Sequence, residues 1–167
     1  MKILAVLCSV ALLLVSSFAL AHPHFNKSVS AKLPSGVEAV VAYNTTPANL
    51  SRASDAPTGV FVTPRRPSLS LSGSVSAGGT EIPAGEYTIG VIKNGDNDWT
   101  MALHKGKLGR GDQPDMANVI KLKSLFSSSA GSADHMLIDI TPGKGQLEGK
   151  AVLTLHFGNL MLAGALS

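Results

Sequence analysis

Residues 22–167 read as an all-β chain folded into a single antiparallel β-sandwich, with a partly open β-barrel as the alternative. Short runs rich in Val, Ile, Thr and Leu recur between clusters of Gly, Pro, Asn and Ser, and 17 glycines and 9 prolines are available to punctuate them. Within the runs, apolar residues alternate with polar ones at the period of two that a half-buried strand requires. No stretch of useful length beyond residue 21 repeats its apolar residues at the helical period. Roughly eight or nine strands are expected, with no internal repeat and no second domain.

The chain opens on a different kind of segment. Lys2, the apolar run over residues 3–15 and Ala19-Leu20-Ala21 match the basic, hydrophobic and small-residue regions of a cleaved secretory signal peptide. The run is too short to cross a bilayer, and no second run of the kind follows, so no membrane span is expected after cleavage. Cleavage after Ala21 assigns residues 1–21 to the leader and makes His22 the new N-terminus. The one cysteine, Cys8, leaves with the leader, so the mature domain has no disulfide, thiolate nucleophile or thiolate metal ligand. Cys8 also precedes most of the apolar segment, which argues against a lipid anchor. The expected location is periplasmic or secreted. The 14 basic residues against 11 acidic ones form no long basic cluster, so nucleic acid is not an implied partner.

The elements follow from the pattern. Val37, Val41 and Tyr43 share one parity of the first strong strand, with Glu38 on the other. Residues 44–58, with Thr46-Pro47 and Ala56-Pro57, lack a period and read as a long loop that hands over to Gly59-Val60-Phe61-Val62-Thr63. Pro64-Arg65-Arg66-Pro67 breaks that run. Leu69, Leu71 and Val75 alternate with serines before Ala77-Gly78-Gly79 turns the chain. Tyr87, Ile89 and Val91 face the same way, Gly95-Asp96-Asn97 makes a turn, and Trp99, Met101 and Leu103 complete the clearest early hairpin. Residues 105–118 form a second long loop, with Gly106, Gly109, Gly111 and Pro114 blocking regular structure. Residues 119–125 are ambiguous. Met136, Ile138 and Ile140 restore alternation, and the turn at 143–149 leads to Leu153, Leu155 and Phe157, opposite Val152, Thr154 and His156.

Gly79-Thr80-Glu81-Ile82-Pro83-Ala84-Gly85-Glu86-Tyr87-Thr88-Ile89-Gly90, followed by Asp98-Trp99-Thr100-Met101, resembles the family catalogued as domain of unknown function 2911. Most of residues 22–167 can be laid along that pattern, including the strand Leu153-Thr154-Leu155-His156-Phe157. The resemblance implies an exported bacterial protein with a β-rich domain, and it brings no activity or catalytic residues. Family members often carry a Trp-Arg-Thr-Gly-Ala-Asn stretch before the turn, whereas residues 69–77 here contain neither Trp nor Arg. In physical terms Gly79 and Gly85 allow unusual backbone angles, Pro83 fixes one turn angle, and Tyr87 is expected to meet Trp99 across the hairpin.

The candidate chemistry is sparse. A processed His22 offers an amine and an imidazole that chelate copper, with His24 as first candidate co-ligand. Pro23 lacks the amide hydrogen that a square amide-nitrogen site needs. His104, His135 and His156 are further possible partners, although strand parity puts each opposite the more apolar face and therefore in solvent. No Gly-x-Ser-x-Gly elbow stands in a strand-turn-helix setting. The aspartates, including the one in Arg110-Gly111-Asp112, read as turn residues. Trp99 and Tyr87 read as core, and Arg65-Arg66 as an exposed pair able to grip an anion. The leading expectation is a non-enzymatic module of the bacterial envelope, binding a small ligand or envelope protein through residues 44–58 and 105–118 without a cofactor. A periplasmic copper-binding protein is the alternative.

Overall fold

A computed structural model describes residues 24–167. The expected leader, residues 1–21, and His22 lie outside the described residues. The described chain forms thirteen strands, one short α-helix and two 3-10 turns. β1 (Asn26–Lys32) pairs with β2 (Glu38–Asn44), β2 with β4 (Ser68–Leu71), β4 with β7 (Gly85–Gly95), β7 with β8 (Asp98–Lys105) and β8 with β9 (Val119–Lys121). The two-residue β3 (Phe61–Val62) also sits on β7, making a seven-stranded sheet. The second sheet has the order β10 (Ser124–Ser127), β13 (Leu160–Leu166), β12 (Ala151–Gly158), β11 (Ala133–Pro142). β5 (Val75–Ala77) and β6 (Thr80–Ile82) form a small flap. The strand ladders are antiparallel and no sheet closes into a barrel, so the sandwich holds.

Alternation places the core. Ala39, Val41, Leu69, Ile89, Met101 and Leu103 of one sheet face Met136, Ile138, Leu153, Leu162 and Leu166 of the other in one continuous cluster. Each large apolar side chain buried there contributes about 1.5–3 kcal/mol. The sandwich is tied along both sides. Only Leu122 and Lys123 separate β9 from β10, so the chain changes sheets there, with the Leu122 amide donating to the Met101 carbonyl at 2.9 Å. That change of sheet is why residues 119–125 show no single parity. On the other side the continuation of β2 crosses to β11, where the Met136 amide donates to the Thr46 carbonyl and the Ala48 amide to the Asp134 carbonyl.

β7 is buried on both faces from Tyr87 to Lys93. Its outward residue Ile92 packs with Phe61, Ala102, Leu108 and Val119, a satellite cluster supplied by β3, β8 and residues 106–119. Gly90 makes room for this cover: a Cβ there would strike the Phe61 ring and stand 2.6 Å from the Val62 carbonyl oxygen. The same cover corrects one expectation. His104 does point away from the main core, yet it is 7% exposed, with the Asp115 amide donating to its Nε2 at 3.3 Å. A second correction concerns the hairpin. Tyr87 pairs with Lys105 and Trp99 with Lys93, so the two aromatics lie at opposite ends of β7–β8. Tyr87 instead closes its own turn, donating its hydroxyl to the Pro83 carbonyl at 2.7 Å.

Candidate functional site

The two sheets do not fill the space between them at one end. The flap is held against the C-terminal end of β13 through Ser76 and Ser167, and at the other end of β13 there is a cavity of about 400 Å³. That volume falls within the range of small-molecule sites. One wall comes from Val91 and Trp99 of the β7–β8 hairpin. The other comes from Phe126 of β10 and from Leu155, Phe157, Leu160 and Leu162 where β12 turns into β13. The walls are apolar, and their residues occupy the strand positions that fill the core elsewhere.

Two pieces of irregular chain form the rim. The first is the segment 46–56, which contains α1 (Leu50–Ser54) and contributes Thr46, Asn49, Arg52, Ala53 and Ala56. A five-residue helix is too short to persist on its own. Here Asn49 caps it, its Oδ1 accepting from the Arg52 amide at 2.9 Å and from the Ser51 hydroxyl at 2.8 Å. The far end is held by Lys93, whose Nζ donates to the Ser54 carbonyl at 2.6 Å and pairs with Asp96 at 3.2 Å. The Gly59 amide also donates to the Lys93 carbonyl, at 2.8 Å. Both the side chain and the backbone of one buried lysine therefore hold the roof of the cavity.

The second piece is a bulge between β3 and β4. Both strands lie along β7, but five residues, 63–67, stand opposite two, Ile89 and Gly90. The extra chain loops outward and places Pro64 and Arg65 on the rim. Its neck is sealed: the Thr63 hydroxyl donates to the Ile89 carbonyl at 2.7 Å, and the Ile89 amide donates to the Pro67 carbonyl at 2.8 Å. At the tip, Arg65 and Arg66 have φ of 57° and 50°. Side chains other than glycine enter this left-handed region at a cost of about 1–2 kcal/mol per residue.

Among the described residues, neither the Arg52 nor the Arg65 guanidinium has a hydrogen-bond or ion-pair partner, and no Asp or Glu lines the cavity. The anticipated loop 44–58 does border the site. The loop 105–118 does not; it covers the outer face of β7–β8, and its Asp112 caps a local turn by accepting from the Gly109 amide at 2.6 Å. Of the two expected copper ligands, His24 is exposed two residues before β1, with its Nδ1 2.7 Å from the Thr45 carbonyl oxygen. No group of three or more His, Cys, Asp or Glu able to hold a metal occurs among the described residues. The sequence reading missed Trp99 and Leu155 as cavity walls, because strand parity marks them only as inward-facing, and it assigned no element to Leu160 and Leu162.

Comparison with protein-family models, curated proteins and solved structures gave no match to this chain.

Proposed function

We propose that the protein is an exported, non-enzymatic binding module of the bacterial envelope that holds a small apolar ligand between its sheets. The cavity carries the proposal: about 400 Å³, walled by Trp99, Phe126, Phe157 and branched aliphatics, with its charged groups confined to the rim. Such a site stabilises a ligand chiefly by removing apolar surface from water. The signal-peptide pattern supports export, and the resemblance to the domain of unknown function 2911 family agrees with it. Trp99 is the sole tryptophan, so it reports on occupancy directly. Titration with decan-1-ol should change Trp99 emission with saturation in the micromolar range. Ala53→Phe, which adds a ring to the roof, should weaken that response at least tenfold while the melting temperature is kept. An unchanged emission at saturating probe in the wild type would refute the reading.

One observation favours a second reading, copper binding at a terminus processed to His22. A carbonyl can only accept, so His24 Nδ1 is the donor to Thr45, and the lone pair on Nε2 is available to a metal. Copper titration of the mature chain should then show submicromolar binding that weakens at least tenfold in His24→Ala. Weak binding equal in both proteins removes this alternative.

A further inference from the structure

Resting on the cavity reading above, we infer that the ligand is a single-chain alkyl carboxylate, its chain between the sheets and its head group held at the rim by Arg52 and Arg65. Among the described residues the walls carry no charge and no polar group besides the indole N–H of Trp99, so a charged group of a ligand must stay at the mouth. Among the described residues the only formal charges lining that mouth are the two guanidinium groups, which have no partner there. A guanidinium fork matches a carboxylate with two parallel hydrogen bonds, so the positive charge and the donor geometry both suit that head group.

The backbone supplies an independent argument. Arg65 occupies a left-handed conformation that glycine would adopt freely, at the tip of a bulge whose neck is fixed by Thr63, Ile89 and Pro67. Backbone strain of this kind concentrates at ligand clamps. Arg66 shares that conformation, and of the two strained residues it is Arg65 that lines the cavity. The volume, near the lower end for small-molecule sites, suits one alkyl chain better than two.

The test compares decanoate with decan-1-ol, probes of equal chain length that differ in head-group charge, by Trp99 emission and calorimetry on the mature chain at low salt. Decanoate should bind at least tenfold more tightly than the alcohol, and each added methylene from octanoate upward should tighten binding about fourfold. In Arg52→Ala/Arg65→Gly the preference for the acid should vanish while decan-1-ol still binds. Arg65→Gly should not lower the melting temperature, because glycine relieves the positive φ, so a lost preference cannot be put down to unfolding. Equal affinity for acid and alcohol in the wild type, or a preference that survives both substitutions, overturns this inference and leaves the cavity reading intact. Failure of both probes to bind overturns the two together.

Discussion

A single hydroxyl accounts for much of what makes Pro83-Ala84-Gly85-Glu86-Tyr87 read as a motif. The Tyr87 ring is 1% exposed, and its oxygen ties the strand back to the Pro83 carbonyl four residues earlier. The apolar parity of β7 made the ring legible as core from the sequence. The bond to Pro83 was not legible, because it depends on how the turn folds back. Tyr87→Phe keeps the ring and removes the bond, and should lower unfolding stability by about 1 kcal/mol in urea with an unchanged slope. Burial pushes the Tyr87 hydroxyl above its usual value of 10.0. The folded state therefore holds this proton more tightly than the unfolded state, so its contribution is intact below pH 10 and is lost as pH rises beyond it. Measured as a difference between the two proteins, that alkaline slope should be missing from Tyr87→Phe.

At the scale of elements, the strands were legible and the cavity roof was not. Alternation identified β2, β4, β7, β8, β11 and β12 because each has one face on the main core. α1 spans five residues, too few to display a helical period, and it persists through Asn49 and Lys93. Lys93 ends the apolar run of β7, where a sequence reading sends a lysine into solvent, yet it is 6% exposed. Lys93→Met should fill much of the space left by the stem while leaving the Ser54 carbonyl without its charged donor. The expected cost is about 1–3 kcal/mol, together with faster amide exchange confined to residues 50–59. Exchange that stays slow there would show that the roof is held by its packing instead.

Across the whole molecule, the sequence distinguishes inside from outside but not filled from hollow. Leu153 and Leu155 are two residues apart on one strand and both point inward; the first lies in closed core, while the second borders the cavity. Nothing in residue type separates them, since the difference arises from how far apart the sheets stand. The choice between sandwich and barrel depended on edge pairings between residues far apart in sequence, such as the bridge between Pro47 and His135. The outer face of β7–β8 was misjudged for a related reason. A segment with no period of its own, residues 106–118, folds over it and buries His104. The bulge between β3 and β4 has a further consequence, for divergence. Because Thr63 and Pro67 satisfy both polar groups of Ile89, the sheet depends on the neck of the bulge and not on its tip. Two codons, those of Arg65 and Arg66, can thus change after a gene duplication, within the residues that accept a left-handed backbone, so that a descendant could take a new ligand without re-pairing a strand.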